Sequence, residues 1–234
     1  SRMEGEHTIQ DTERMNTPLR IFLALNFPPE VRLDLLQRVR HLHSTHRDFT
    51  WVKQPEQFHL TLKFLGDVHP SRLEALTEVV AEVARRFPPI PLHLGGFGAF
   101  PSWKQPRILW LGTTNPPALT SLQQHLDALL VPLGFDVEDR PYNPHITLAR
   151  AKFARKRFSR KIEGDLSAVD FNVSVLPTSV DIMCSKFNLD PADRYAVIAQ
   201  CPLSLPEPHE AFLPQPLSEP LQAAIDDSRK RKRM

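Results

Sequence analysis

His59-Leu60-Thr61-Leu62 decides how this chain is read, together with its echo at His145-Ile146-Thr147-Leu148. Each stretch is a histidine, an aliphatic, a threonine and an aliphatic. Side chains alternate faces along a β-strand. His59 and Thr61 therefore share one face, with Leu60 and Leu62 on the other. His145 and Thr147 stand in the same way against Ile146 and Leu148. The chain builds one device twice: a strand with its back in a core and an imidazole and a hydroxyl on its open face.

Around these stretches the text alternates between strand and helix signals. A strand is expected at 20–26, then a helix opened by Pro28-Pro29 with Val31, Leu33, Leu35, Leu36, Val39 and Leu42 on its apolar side. A short strand at 49–53 precedes the first motif strand, which Gly66-Asp67 ends. A helix follows over 70–87, then strands over 90–97 and 107–112. Gly95-Gly96-Phe97-Gly98 reads as a strand-end bulge or turn. A helix over 116–130 leads to Pro141-Tyr142-Asn143-Pro144 and the second motif strand. Strands at 170–175, 179–187 and 195–200 close the order. This is α+β text with a hidden duplication, not the strict alternation of a doubly wound sheet. If the two halves pack about a pseudo-twofold axis, both motif strands face one cleft.

Composition sets the outer bounds. The chain has 234 residues, 41% hydrophobic and 24% charged, enough for a soluble domain with a sizeable core. No apolar run reaches the length of a membrane helix, and residues 1–18 lack the apolar stretch of a secretory signal. A cytoplasmic monomer is expected. Residues 1–18 read as a disordered extension, 19–202 as the domain, and 203–234 as a Pro-rich, basic-ended disordered tail. Cys184 and Cys201 read as buried thiols, with a bridge between adjacent strands as the alternative. The net charge of +2 is uneven: both ends are neutral or acidic and the middle is basic, which suits a phosphate-bearing ligand.

Histidine titrates near neutrality, so a pair supplies one base and one acid. Threonine hydroxyls donate to anionic oxygens. Together they suit in-line displacement at phosphorus without a metal. Arg150 is the nearby cation, although plain alternation puts it opposite His145 and Thr147, so a bulge or the strand end must redirect it. Lys63 has the parity of His59 and Thr61 and is a weak nucleotide contact. From Arg150 to Lys161 there are seven Lys or Arg with Phe153 and Phe158 interleaved; Phe153, Arg155 and Arg157 are weak candidates for RNA contact. Trp51, Trp103 and Phe100 are further stacking candidates, with core or rim packing the better explanation of each. No H-E-x-x-H, P-loop or G-x-S-x-G pattern is present, and neither a metal nor a cofactor is expected.

These residues resemble the two-histidine (2H) phosphoesterase superfamily, above all the RNA 2′,3′-cyclic phosphodiesterases, also called 2′-5′ RNA ligases. The resemblance rests on the block 20–25, on Trp51-Val52 followed by 59–66, on 141–150, and on Ser185-Lys-Phe-Asn-Leu with Tyr195. It covers about 20–201. Asp193-Arg194 departs from a glycine usual near there. It implies two lobes whose antiparallel sheets line a central cleft, with helices outside. It implies metal-free hydrolysis of RNA 2′,3′-cyclic phosphate ends to 2′-phosphate, with His59 as general acid and His145 as general base. Thr61, Thr147 and Arg150 would hold the phosphate. The chemistry run toward joining would make a 2′-5′ linkage, with hydrolysis dominant in water. Two alternatives stay open: a non-catalytic RNA- or nucleotide-binding module, and a phosphodiesterase for a small cyclic nucleotide.

Overall fold

The computed structural model describes residues 16–153, 160–185, 195–205 and 219–234. Among the described residues nine strands form two antiparallel sheets. They are β1 (Leu19–Leu25), β2 (Phe49–Trp51), β3 (Leu60–Val68), β4 (Leu92–Phe100), β5 (Ile108–Thr113), β6 (His145–Ala151), β7 (Asn172–Val175), β8 (Ser179–Ser185) and β9 (Tyr195–Pro202). The first sheet runs β3-β1-β8-β9 and the second β2-β6-β5-β4-β7. Each holds one motif strand, as the duplication predicts. The sheets are interleaved in sequence: β2 joins the second, and β8 and β9 return to the first.

The helices are α1 (Pro29–Val39), α2 (Leu42–Thr45), α3 (Leu73–Ala84), α4 (Pro117–Leu129), α5 (Lys161–Ser167) and α6 (Glu219–Arg233). The α1 and α4 helices open on the Pro28-Pro29 and Pro116-Pro117 pairs, with proline in the first turn, where its missing N–H costs nothing. The α3 helix packs on β8 and β9, and α4 on α3 and β3. The α5 helix lies against β4. A hydrogen bond from His46 Nε2 to Asp165 Oδ2 ties α2's C-terminal cap to α5 at 2.7 Å. One apolar core runs through both sheets, from Ile21, Leu23 and Leu25 of β1 to Ile146 and Leu148 of β6. Among the described residues no helix is long and apolar enough to cross a membrane.

Three expectations change. Residues 219–233, read as disordered, form α6. Its acidic start and basic last turn complement the helix dipole, and an Asp227–Arg231 pair links successive turns. Lys232 also donates to the Val137 carbonyl at 2.9 Å, so a partner outside the helix holds it. The α5 helix, where no element was expected, begins at the last residue of the basic run. The Gly95–Gly98 segment is not a strand end but lies within β4, with a bulge between Leu94 and Phe97. Cys184 and Cys201 are buried free thiols, as expected; Cys184 faces Ala196 while Cys201 faces Val180, four positions along the pair, so the alternative bridge is excluded.

Candidate active site

The two motif stretches have the same burial order. Residues 59–64 run half-buried, buried, half-buried, buried, buried, exposed, and residues 145–150 repeat this position for position. The cause is a pair of matched bulges. On β3, Thr61 faces Ala24 but Lys63 faces Leu23, so Leu62 is an extra residue. On β6, Thr147 faces Trp110 but Ala149 faces Leu109, so Leu148 is extra. A one-residue bulge reverses the alternation beyond it. Two consecutive residues, Leu62-Lys63 and Leu148-Ala149, then face the core, and the next residue returns to the open face.

That single feature settles two readings. Arg150 comes back to the face of His145 and Thr147, as the sequence required of a bulge. Lys63 goes the other way, and its expected nucleotide contact is corrected. Its ammonium is buried, 2.5 Å from Asp127 Oδ1 of α4 and 2.6 Å from the Asp136 carbonyl. Asp127 in turn accepts the Glu138 N–H at 3.1 Å. Buried in this way, the charge is both paired and hydrogen-bonded. Lys63 thus holds β3 to the segment that leads into His145. Lys232 reaches the adjoining carbonyl, Val137, from α6. Neighbouring peptide groups, 136 and 137, are held by ammonium groups from two sides.

The second histidine is oriented by its own approach segment. His145 Nδ1 lies 2.8 Å from the Asn143 carbonyl. A carbonyl only accepts, so Nδ1 carries the proton in that bond and Nε2 is left as the acceptor of the neutral ring. The Phe100 ring stands edge-on to this imidazole at 5.0 Å. Burial lowers the His145 pKa, the Asn143 bond raises it and the Arg150 charge lowers it again. The first lobe is tied to this approach by Tyr142, whose hydroxyl donates to the Thr61 carbonyl at 2.9 Å.

His59 sits in a different setting. Its ring is 4.8 Å from Phe22 and 5.3 Å from Tyr195. Burial, and then the charge of Arg32 on α1, push its pKa down to about 4. Its Nδ1 is buried without a hydrogen-bond partner, and so are Arg32 Nε, Asn26 Oδ1 and, beside Thr147 in register, Trp110 Nε1. The same holds for His43 Nε2, which lies against Trp51.

The other candidates separate. Trp51 is core, packed against His43, and Trp103 packs on the same core. Phe100 is the one stacking candidate beside a motif histidine. Phe153 is exposed beyond the end of β6, while Arg155 and Arg157 lie outside the described residues. Sequence reading missed Phe22, Asn26, Arg32 and Trp110, and took Tyr195 only as part of a closing strand. For Phe22 a signal existed, since in β1 it has the parity opposite to the core residues Ile21 and Leu23. Gly98 carried another: its missing side chain makes room for the Trp110 ring. Among the described residues no three His, Cys, Asp or Glu side chains gather closely enough to hold a metal ion.

Known proteins resemble this chain in sequence and fold. The family model for LigT-like phosphoesterases matches residues 25–110 and 111–184. An RNA 2′,3′-cyclic phosphodiesterase of Geobacillus stearothermophilus is 36% identical over 154 residues, 66% of this chain and 48% of that protein. The chain thus spans about half the length of that relative. One of the same name from Methanothermobacter thermautotrophicus is 37% identical over 140 residues, 59% of this chain and 74% of that protein. Among solved structures, TT0787 of Thermus thermophilus superposes with a TM-score of 0.65 at 27% identity, over 81% of this chain and all of that one. Escherichia coli LigT complexed with 3′-AMP gives 0.59 at 29% identity, over 80% and 99%.

Proposed function

We propose a function from the premise that the chain belongs to the LigT-like phosphoesterase family. The protein hydrolyses 2′,3′-cyclic phosphate ends of RNA to 2′-phosphate. The observation that carries this reading is the doubled stretch with matched bulges, which gives each strand an imidazole and a hydroxyl on one open face. Relatives named RNA 2′,3′-cyclic phosphodiesterase support the substrate class.

His145 is the base. Its Nε2 accepts a proton from water while the water oxygen attacks phosphorus. His59 is the acid. It gives its proton to the departing 3′ oxygen, and the phosphate stays on the 2′ oxygen. The fixed Nδ1 proton of His145 supports this assignment, because it leaves Nε2 ready to accept. Thr61 and Thr147 donate to the non-bridging oxygens and Arg150 meets their charge. The low pKa of His59 suits an acid only once an anion is present. A bound cyclic phosphodiester favours the imidazolium that burial and Arg32 otherwise disfavour.

The test is product analysis on an oligoribonucleotide ending in 2′,3′-cyclic phosphate, with chelator throughout. A 2′-phosphate product, lost in His59→Ala and in His145→Ala, is the expected result. Intact turnover in either variant, or a 3′-phosphate product, defeats the reading. Binding of RNA without turnover would turn it into a binding module.

A further inference from the structure

The segment 134–144 that leads into β6 has no helix or strand of its own. A backbone ladder therefore does not fix where it delivers His145. Holds come instead from the other motif strand. Lys63 of β3 donates to the Asp136 carbonyl near one end of the segment, and the Thr61 carbonyl of β3 accepts the Tyr142 hydroxyl near the other. Thr61 and Lys63 flank Leu62, the extra residue of the bulge. The first copy of the motif thus carries the approach to the second.

Tyr142 stands one residue before the carbonyl that orients His145. Its hydroxyl lies 2.9 Å from the Thr61 carbonyl oxygen, and the Asn143 carbonyl lies 2.8 Å from His145 Nδ1. Two hydrogen bonds and a short stretch of backbone therefore join the strand that presents the Thr61 hydroxyl to the His145 imidazole. The Tyr142 ring packs against the main core. Burial raises the pKa of its phenol well above the ordinary value, so the hydroxyl stays a donor. A ring held on its faces and bonded at its tip makes a strut between the two motifs.

We propose that Tyr142 is a positioning residue: its bond to the Thr61 carbonyl sets where the His145 imidazole stands relative to a phosphate held by Thr61. It acts through His145 and takes no part in proton transfer. The proposal rests on the phosphodiesterase reading. A base slightly out of place loses its line to the attacking water while the substrate is held as before, so the cost falls on kcat rather than on KM.

The experiment compares Tyr142→Phe, which removes the hydroxyl and keeps the ring, with the unaltered chain. It reads kcat and KM on an oligoribonucleotide ending in 2′,3′-cyclic phosphate, the acidic limb of kcat/KM, and the titration of the His145 ring followed by NMR. Around His145 the charged group that bears on it is Arg150 of its own strand; Gly112 of β5 stands opposite and Phe100 of β4 meets the ring. Burial lowers the His145 pKa and the Asn143 bond raises it, so a loosened bond lets it fall further. Tyr142→Phe is expected to lower kcat about tenfold with KM nearly unchanged, and to move both the acidic limb and the His145 titration to lower pH. An unchanged kcat, a rise in KM in place of the fall in kcat, or an unmoved His145 titration overturns the positioning role while the phosphodiesterase reading stands. If the unaltered chain does not hydrolyse the oligonucleotide, the titration alone decides. A shift in Tyr142→Phe then keeps the strut on His145 and removes the reading, and an unmoved titration removes both.

Discussion

Strands β3 and β6 present the same sequence of faces over six residues, including the same bulge, yet the two imidazoles live in different surroundings. His145 has one nitrogen fixed by the Asn143 carbonyl and stands near Arg150. His59 has an unpartnered Nδ1, two aromatic neighbours, and Arg32 of α1 as the charge felt most strongly. The backbone is duplicated and the electrostatics are not. A duplicated frame puts one titrating group on the open face of each motif strand, and their partners are unequal. Acid and base roles can be argued because the surroundings differ, not because the motifs do.

The largest effect expected of any change to this pair comes from the histidines themselves. His59→Ala and His145→Ala should each lower kcat on a 2′,3′-cyclic nucleotide by about 10²–10⁴. A variant that keeps full turnover would break the equivalence of the two copies. Next is Lys63, the residue the bulge sends inward. Lys63→Met strands Asp127 in the interior and should cost about 3–5 kcal/mol in chemical denaturation. Its counterpart change, Ala149→Met, introduces no unpaired charge, so a similar loss there would tie the cost to overpacking instead.

The pH dependence of stability separates the histidines. The folded-state pKa of His59 is about 4, below its unfolded value near 6.5, so the unfolded chain binds more protons in between. This contribution is fully present above about pH 6.5 and is lost as pH falls toward 4. It amounts to up to about 3 kcal/mol. His59→Gln should flatten denaturation midpoints measured across that window; an unaltered slope would place the shift elsewhere.

A smaller effect is expected at the exposed end of β6. Arg150→Ala should raise KM for the cyclic nucleotide about 10- to 100-fold and leave the unfolding midpoint unchanged. A lowered midpoint would make Arg150 a structural residue. The smallest change expected is in Arg32→Met. Removing its charge lets the His59 pKa rise toward normal, so the alkaline limb of kcat/KM should move to higher pH. A limb that stays in place would show that burial alone sets the shift.

The fold class and both imidazole–hydroxyl pairs were legible because alternation holds for the first four residues of each stretch. It fails at the fifth. Leu62-Lys63 and Leu148-Ala149 contain no glycine or proline to announce a bulge, and lysine is a solvent-facing type by default. Copy two held a hint, since two consecutive apolar residues precede an arginine that needed redirecting. Helices marked by Pro-Pro pairs were readable, while α5 and α6 were not, their charges resembling solvated linker. Arg32 and Trp110 could not be found by spacing, because only tertiary packing brings α1 to His59 and β5 to Thr147.

The paired ammonium contacts at carbonyls 136 and 137 bear on how the protein can be handled. One comes from the interior at Lys63 and the other from Lys232 in the last turn of α6. The α6 helix is thus a fastener for the segment that delivers His145. A label, a linkage or an insertion placed in its last turn pulls on that segment, and removal of α6 releases it. Attachment at a surface away from α6 leaves the fastener in place.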